Sequence, residues 1–591
     1  MNILPAVKSF TPSKGKLSLK DLVNGKSNLN NEFILSLLKS AIPAFTFTQS
    51  KGKEFSAVLT AKGKKALLKA ADAGKGNDAY ILQVGEKEVR IDAKTSAGLF
   101  YGFITLIKLG KTGAIPCGTY KDEAAIPLRM IHWDLKGYQP KLSVMMEELE
   151  ILASWKVNAI LLEIEDKYDY KCAPLAGCST AYSFKEMRAI SKKAALLNIM
   201  IVPKLQCIAH VDYLLKHKEY KDLRENDHCY QYCCSSTKVD KLWNDMADEL
   251  MECFAEHKEY FHIGADEAIN LGECPKCQKL GPAGSYIRRT QKSIDHILKA
   301  GRTPIMWDDI LRKGESGMTQ EQIKECWTLG KKSILMYWAY GYGGVNNTFP
   351  VLKSYLDAGM KVWGASGYSG CDNWAGSLPP LAVRAPNSDA WTKTAIESSL
   401  QCVCCTGWGR IGSADCPTEP HEACWYTILY AATSMWSGQK MDLTKFIYDL
   451  SRELYDEIPE QPLVDAIMNI SRTPYRLPNV LNREFSSKRF AFLNLAAAAE
   501  SLTVIRNNFC NWNSYYYGKL GREMEDYRIA YMNRWPVMQA EDVAKLKKEV
   551  EKIFKEFYGK FTVDAFMISR FGFLEKLIKD TMELTKKTKN M

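Results

Sequence analysis

The segment Tyr260–Glu267, which reads YFHIGADE, contains a pattern that recurs through the central part of the chain. It starts as a short apolar run typical of a buried β-strand, and Gly264 then lets the chain leave the strand. Two vicinal carboxylates, Asp266 and Glu267, follow at once. Strands that end in polar side chains are typical of parallel α/β folds, in which functional groups lie where the strands end.

Apolar runs of strand length alternate with helical patterns over residues 126–439. The eight runs are Arg129–Trp133, Val157–Glu163, Ile199–Leu205, Tyr260–Gly264, Thr303–Trp307, Ser333–Trp338, Met360–Gly364 and Gln401–Gly407. Helical periodicity lies between them at Ser143–Trp155, Phe184–Leu197, Val239–Glu256, Ile287–Ala300 and Asp389–Leu400. Such alternation indicates parallel strands, and eight repeats favour a closed (β/α)8 TIM barrel. The alternative is an open doubly wound sheet, but no glycine-rich turn follows an early strand.

A chain of 591 residues is too long for one compact core, and its patterns predict three domains. Residues 1–125 are expected to form an α/β accessory domain, with strands at Asp78–Gln83 and Glu88–Asp92 and a helix at Ser96–Leu109. The barrel is expected over 126–439. Residues 440–591 are expected to form a helical domain that packs on the barrel. Its predicted helices are Asp442–Leu454, Lys488–Asn507, Leu520–Asn533, Ala540–Tyr558 and Ser569–Lys586.

The composition is that of a globular protein, with 46% hydrophobic and 11% aromatic residues. The net charge of +11 is spread along the chain, so we do not expect a nucleic-acid partner. No apolar run is long enough to predict a membrane span. The N-terminus lacks a signal-peptide core, yet its abrupt start is compatible with a leader already removed from a secreted or periplasmic protein. We therefore expect a soluble protein and leave its compartment open.

The 18 cysteines include a CxxC pair, Cys274 and Cys277. Such a pair fits a zinc half-site, a redox pair or chance. Zinc would need two further ligands, and Cys234 with Cys229 or Cys233 could supply them if the two loops meet. Disulfides and free thiols are the alternatives. We assign no cofactor and no metal ion to the candidate site itself.

The ends of the eight predicted strands are rich in acidic and aromatic side chains. Carboxylates bind sugar hydroxyls through charge-assisted hydrogen bonds, and indole rings cover the apolar face of a sugar. The pattern therefore predicts a carbohydrate pocket, with helix caps and surface acids as the plainer alternative. The side chains in these positions include Asp134, Lys136, Glu163, Glu165, Asp166, Gln206, His210, Asp308, Asp309, Trp338, Tyr340, Tyr368, Trp408, Arg410 and Glu419.

Asp266 and Glu267 point to a particular kind of hydrolysis. Neighbouring side chains of a strand face opposite ways, so both can reach one substrate only where the strand gives way to a loop. Vicinal carboxylates are a poor fit to the ordinary glycosidase pair, which flanks the scissile bond. They fit a substrate-assisted reaction, in which the 2-acetamido oxygen of the sugar attacks C1. A helix N-cap pair is the structural alternative.

The segment His262–Glu267 (HIGADE) resembles the signature His-x-Gly-x-Asp-Glu of glycoside hydrolase family 20, and in particular its hexosaminidase D-like branch. The N-terminal region also resembles the accessory domain of that family. The resemblance implies a retaining exo-β-N-acetylhexosaminidase whose substrates are glycans or glycoconjugates with terminal β-linked GlcNAc or GalNAc. Supporting segments follow in the same order along the barrel: Arg129–Lys141, Leu161–Tyr170, Ile201–Glu225, Asn270–Cys277 and Thr406–Arg410.

The resemblance also implies roles for individual residues. Asp266 would orient the acetamido group and stabilise the oxazolinium ion, and Glu267 would be the general acid and then the general base. Tyr368 is the alternative to Tyr340 as the cap on the acetamido carbonyl, and Asp166 is the alternative to Glu165. The residues expected to bind the substrate are Arg129, Glu165, His210, Trp307, Trp338, Tyr340, Trp408 and Glu419.

Two other functions are compatible with the same pattern. One is a catalytically silent carbohydrate-binding protein on the same barrel, although the presence of both carboxylates weighs against it. The other is a barrel hydrolase that acts on unacetylated sugars.

Overall fold

The central part of the chain forms a closed barrel of eight parallel strands in the computed structural model. Each strand pairs with the next one along the chain, and the eighth pairs with the first. The strands are Leu128–Asp134, Ala159–Glu163, Met200–Lys204, Tyr260–His262, Thr303–Trp307, Ile334–Trp338, Lys361–Ser369 and Cys402–Gly407. The predicted TIM barrel is confirmed, and its closure excludes an open sheet. The structure describes residues 3–42, 44–50, 55–74, 76–341, 347–371, 378–409, 418–468, 480–499 and 540–588.

A helix follows each barrel strand and covers it from outside. The five predicted helices are present, but two of them begin earlier than predicted, at Gly281 and Leu381. The early turns of these helices carry prolines, Pro282 and Pro386, and few large apolar residues, which weakens the apolar periodicity there. The barrel helices are Leu142–Ser154, Phe184–Leu196, Thr237–Cys253, Gly281–Lys299, Gln320–Gly330, Leu352–Asp357, Leu381–Glu397 and Trp425–Ser437.

The interior of the barrel is a packed apolar core. A site for substrate must therefore lie at one end of the barrel and not along its axis. Two cysteines of the eighth strand, Cys402 and Cys404, belong to this core as free thiols. The core-forming side chains include Met130, Leu161, Val202, Ile305, Met336 and Trp363.

The N-terminal part of the chain forms a seven-stranded sheet with the order 1-7-5-6-4-2-3. Its helices are Glu32–Ala41 and Ser96–Lys111. Gly98 lets the second helix approach the sheet closely, since an added Cβ would lie 2.4 Å from the Ala79 carbonyl oxygen. Here too the predicted strands and helix are present. The strands are Ser9–Leu17, Leu22–Ser27, Thr46–Gln49, Phe55–Ala61, Tyr80–Val84, Glu88–Ala93 and Ile115–Asp122.

Helices dominate the C-terminal part, as predicted. Arg489 pairs there with Glu422 and, at 2.8 Å, with Glu147 of the first barrel helix, so this part packs on the barrel. The predicted helix Leu520–Asn533, and the end of Lys488–Asn507, lie outside the described residues. Among the residues that are described, no helix is long and apolar enough to cross a membrane. The helices are Leu443–Leu450, Gln461–Met468, 488–499, Ala540–Phe557, Lys560–Met567 and Phe573–Thr588, with π-helical turns at Ser451–Tyr455 and Ile568–Gly572.

Candidate active site

The backbone after the fourth barrel strand is irregular where it carries the two vicinal carboxylates. Gly264, Ala265 and Glu267 have φ angles of +69°, +70° and +46°. Gly264 also lies close to Gln206, since an added Cβ would be 1.7 Å from its Oε1 and the Gln206 side chain would have to move. Left-handed conformations of non-glycine residues are unfavourable and persist where the surrounding structure enforces them, often at functional sites. This exit from the strand brings Asp266 and Glu267 to the same side.

His210, in the loop after the third strand, contacts both carboxylates. Its Nε2 lies 3.5 Å from Oδ2 of Asp266 and 3.3 Å from Oε2 of Glu267. The hydroxyl of Tyr230 lies 3.1 Å from the same ring nitrogen and donates a hydrogen bond to the Glu267 carbonyl oxygen at 3.2 Å. The structure thus brings Asp266, Glu267 and His210 together. Tyr230 was not predicted, because it lies in a short hairpin without an apolar strand pattern.

The side chains of His210, Asp266 and Glu267 shift one another's pKa values. Burial favours the neutral ring of His210, but the carboxylates of Asp266 and Glu267 outweigh burial and raise the pKa of the ring above its ordinary value. The hydrogen bond from His210 in turn holds the pKa of Glu267 below its ordinary value. These opposite shifts favour a proton on the His210 ring over a proton on the Glu267 carboxylate. The side chain of Glu267 is 43% exposed and that of Asp266 only 7%, so Glu267 faces the entrance.

One oxygen of Asp266 is buried without a hydrogen-bond donor in the part of the chain that the structure describes. Among the described residues, no group donates a hydrogen bond to its buried Oδ1. Asp309 lies behind it, and its Oδ2 accepts a hydrogen bond from the backbone N–H of Glu267 at 2.9 Å. Burial and the charge of Asp266 raise the pKa of Asp309 to about 8. A buried carboxylate oxygen without a donor is costly, so Asp266 is suited to accept a hydrogen bond from a ligand N–H.

Four predicted aromatic residues lie close together at the carboxyl ends of the strands. The rings of Trp338 and Tyr340 stack with centroids 5.3 Å apart, and Nε1 of Trp408 donates a hydrogen bond to the Tyr340 hydroxyl at 2.9 Å. Trp307 lies 5.6 Å from Trp408, centroid to centroid. The hydroxyl of Tyr368 instead donates to the backbone carbonyl oxygen of His132, in the first strand, at 2.9 Å. This geometry favours Tyr340 over Tyr368 as a ligand contact.

A buried ionic network lies at the ends of the first three strands. Lys136 Nζ lies 2.7 Å from Asp134 Oδ2, 3.0 Å from Glu163 Oε1 and 4.0 Å from Glu165 Oε1. Lys204 Nζ lies 2.6 Å from the other oxygen of Glu163. Lys136 was among the polar residues predicted at the strand ends, although without a role, and Lys204 was not predicted.

The second strand end settles which carboxylate faces this network. Glu165 adopts a left-handed backbone with φ of +44° and approaches Lys136. Asp166 instead pairs with Lys167 at 3.0 Å. The geometry therefore favours Glu165 over Asp166.

Glu419 follows the eighth strand in the chain, and its side chain lies against the end of the seventh strand. Its Oε2 accepts hydrogen bonds from the Ser369 hydroxyl at 2.9 Å and from the Gly370 N–H at 3.0 Å. It is buried at the same end of the barrel as the carboxylate pair. Arg410, which the sequence placed at the end of the eighth strand, lies outside the described residues.

Arg129 does not reach this site, and the role predicted for it is wrong. It lies near the amino end of the first strand, whereas the carboxylates follow the carboxyl end of the fourth. Its guanidinium is fully buried and pairs with Asp78 of the N-terminal region at 2.7 Å. It also donates to the carbonyl oxygens of Lys156 and Ile126 at 2.7 and 2.8 Å. Arg129 therefore joins the N-terminal sheet to the barrel.

A closed parallel barrel with this group of acidic and aromatic side chains at the carboxyl ends of its strands has the layout of a TIM-barrel enzyme. The chain belongs to glycosyl hydrolase family 20: the catalytic-domain model of that family matches residues 142–399, and its domain 2 model matches residues 1–123. Together the two matches span well over half of the chain.

Similar proteins agree with this assignment. Human hexosaminidase D is 27% identical over 304 residues, which cover 48% of this chain and 60% of the human protein. Bovine hexosaminidase D is 26% identical over 300 residues, covering 48% of this chain and 84% of the bovine protein. The chain thus spans less than two thirds of the human relative.

Solved structures show the same fold. A chitobiase of Flavobacterium johnsoniae superposes with a TM-score of 0.60 at 17% identity, covering 100% of this chain and 93% of that one. A β-N-acetylhexosaminidase of Bacteroides fragilis gives a TM-score of 0.58 at 15% identity, covering 76% and 94%. At such identities the likeness establishes the fold alone.

Proposed function

We propose that this protein is a retaining exo-β-N-acetylhexosaminidase that removes terminal β-linked GlcNAc or GalNAc from glycans or glycoconjugates. The observation that carries the proposal is the pairing of unlike carboxylates. Asp266 is buried, and its Oδ1 receives no hydrogen bond from the described residues, whereas its neighbour Glu267 is partly exposed. An amide N–H of the sugar fits the first, and the leaving oxygen fits the second.

Asp266 would act on the acetamido group. By accepting its N–H, the carboxylate turns the amide oxygen towards C1 and increases its nucleophilicity. The bond from this oxygen to C1 forms as the glycosidic bond breaks, and the resulting positive oxazolinium ion lies beside a fixed negative charge. Such preorganised electrostatic stabilisation is usually the largest contribution of an enzyme to rate.

Glu267 and His210 would handle the proton together. A proton held by His210 would pass to Glu267 and from there to the leaving oxygen. In the second step Glu267 accepts a proton from the water that attacks C1 and opens the oxazolinium ion. Two displacements at C1, each with inversion, give net retention.

The remaining side chains would hold the sugar. The rings of Trp307, Trp338 and Trp408 offer faces for the ring and the acetamido methyl group. The Tyr340 hydroxyl is the candidate donor to the acetamido oxygen. Glu165 and Glu419 are buried carboxylates at the same end of the barrel and are the candidates for binding ring hydroxyls, a role that Arg129 cannot fill.

One observation favours the alternative of a silent carbohydrate-binding protein. The hydrogen bond from His210 holds the pKa of Glu267 below its ordinary value, which favours the ionised form of the residue that would have to act as the acid. Calorimetry that detects N-acetylhexosamine binding without any hydrolysis would support this alternative.

The proposal is tested with p-nitrophenyl β-N-acetylglucosaminide, its galactosaminide and a natural disaccharide. We expect turnover by the wild type and a loss of about a hundredfold or more in Glu267→Gln on the disaccharide, because a poor leaving group depends on general acid catalysis. The loss on the activated aryl glycosides should be smaller. Glu273→Gln is the matched control, since Glu273 lies on the same loop in an exposed pair with His228. Full turnover of the disaccharide by Glu267→Gln would contradict the proposal.

A further inference from the structure

Two loops meet beside the candidate active site and bring four ligand-type side chains together. One is the hairpin of Arg224–Glu225 and His228–Tyr232, which follows the third barrel strand, and the other follows Glu267. The ligand atoms of the four residues all lie within 4.8 Å of one another. We propose that this cluster is a structural Zn²⁺ site formed by Glu225, Cys233, Cys274 and Cys277.

The distances between the sulfur atoms fit a shared ion better than a disulfide. Cys233 Sγ lies 3.6 Å from Cys274 Sγ and 3.8 Å from Cys277 Sγ. A disulfide would require about 2.05 Å. Two sulfurs bound tetrahedrally to one zinc ion, each at about 2.3 Å, lie about 3.8 Å apart. The sulfurs therefore already have the separation that zinc coordination demands.

A hydroxyl group adds to the polar surroundings of the sulfurs. The Ser235 hydroxyl lies 3.2 Å from the sulfur of Cys277. A polar group at this distance can stabilise the negative charge on a sulfur that binds a metal ion.

Glu225 supplies the independent observation that points to a cation. It is fully buried, and its Oε1 accepts a hydrogen bond from the Cys274 N–H at 2.6 Å. Its other oxygen, Oε2, has no donor among the described residues. A buried carboxylate with one unmatched oxygen next to three sulfurs is unfavourable, and a bound cation would satisfy it.

The donor set indicates the metal and its function. Three thiolates and one carboxylate in a compact buried cluster suit Zn²⁺, and four protein ligands leave no open position for catalysis. The other neighbouring cysteines do not join the set, since Cys229 is exposed and Cys234 points to the Tyr232 carbonyl oxygen at 3.9 Å.

The ion would fasten together the two segments that shape the candidate active site. The hairpin carries Tyr230, which contacts His210, and the second loop begins at the carboxylate pair. Zinc would thus fix the position of Glu267 without taking part in hydrolysis. The site can be tested whether or not the protein is a hexosaminidase.

The test is the metal content of the full chain, purified from zinc-supplemented medium without chelator. Inductively coupled plasma mass spectrometry should find about one zinc ion per chain in the wild type. It should find less than about a tenth of that in Cys274→Ser and Cys277→Ser. Cys229→Ser is the matched control because Cys229 lies on the same hairpin outside the cluster, and it should retain the zinc.

Two further measurements test for the zinc site even if the serine variants fold poorly. Cobalt added to the apoprotein, prepared by thiol-reactive release of zinc, should produce the thiolate-to-metal absorption of a tetrahedral sulfur site. Glu225→Gln, which keeps all three sulfurs, should bind zinc at least about tenfold more weakly in competition with a chromophoric chelator. A wild-type protein without zinc, or a disulfide between two of the three cysteines found by peptide mapping, would overturn the proposal.

Discussion

The two ends of the barrel differ in whether their buried charged groups have hydrogen-bond partners. At the amino-terminal end, the guanidinium of Arg129 is matched by Asp78 and by backbone carbonyl oxygens. At the carboxyl-terminal end, Asp266 and Asp309 each keep a buried oxygen with no donor among the described residues. Since an unmatched buried carboxylate oxygen lowers stability, Asp266 and Asp309 indicate that the carboxyl-terminal end is adapted to a ligand, whereas the matched guanidinium of Arg129 holds domains together.

The backbone shows the same contrast. Left-handed residues near the amino-terminal end, such as Lys156 and Asn198, lie between a helix and the next strand, where such conformations commonly end helices. At the carboxyl-terminal end, Glu165, His210 and Glu267 adopt them at positions that carry the candidate chemistry. The strain there is therefore associated with function and not with ordinary chain reversal.

The largest expected effect is on the stability of the amino-terminal end. Arg129→Met leaves the Asp78 carboxylate without its partner, and we expect the free energy of unfolding to fall by about 3–5 kcal/mol. Urea denaturation measures this change. Arg188→Met, which breaks a more exposed pair with Glu256, should cost about 1 kcal/mol or less. If folded Arg129→Met protein lost kcat/KM but not stability, the assignment of Arg129 to the domain junction would be wrong.

The second effect separates two tyrosines at the carboxyl-terminal end. Tyr340→Phe removes the hydroxyl proposed to contact the acetamido oxygen, and kcat should fall by about a hundredfold, as when one stabilising donor is lost. Tyr368→Phe removes only a bond to a backbone carbonyl, at a cost of about 1 kcal/mol in stability with kcat retained. Steady-state kinetics with urea denaturation distinguishes them, and the reverse pattern would exchange their roles.

The third effect is a shift in pH dependence. If His210 and Glu267 share the reactive proton, kcat/KM should fall as the pH rises through the raised pKa of His210. In His210→Gln the proton must come from Glu267 alone, so the alkaline limb should move to lower pH by about one unit or more. Tyr230→Phe retains the ring and should retain the limb. An unchanged limb in His210→Gln would exclude the shared proton.

The smallest effect concerns Asp309, whose pKa is raised to about 8 by burial and by Asp266. The folded state then binds more protons than the unfolded state, so this group makes stability decline as the pH rises from about 4 to about 8. Asp309→Asn removes that decline while its amide oxygen can still accept the Glu267 N–H. The variant should therefore gain stability relative to the wild type progressively as the pH rises across this range, as measured by urea denaturation. A difference that does not depend on pH would mean that Asp309 titrates normally.

The sequence was sufficient for the fold because each barrel strand is a short apolar run. Thr303–Trp307 was predicted to the residue, since four buried side chains follow Thr303 without a break. The first residues of the helices were harder to predict. For example, Gly281–Lys299 begins in a turn that contains glycine and serine and has few apolar residues. Residues 500–539 lie outside the described part of the chain, and the helices predicted there remain predictions.

The candidate site was predictable where residues follow strand ends directly, as Asp266 and Trp408 do. The family resemblance gave Arg129 the wrong role. Its position at the amino end of the strand already places it away from the pocket. Tyr230 and Glu225 could not be found, because they lie in a hairpin whose pairing depends on tertiary contacts. No local pattern linked Glu225 to cysteines some fifty residues away.

The most direct test of the central claim is the inhibition constant of a thiazoline that mimics the oxazolinium intermediate. If Asp266 and Glu267 act on one acetamido sugar, the thiazoline should bind at least about a hundredfold more tightly than N-acetylglucosamine, and Asp266→Asn should abolish that advantage. A thiazoline that binds no better than the free sugar would show that the acetamido group takes no part in catalysis.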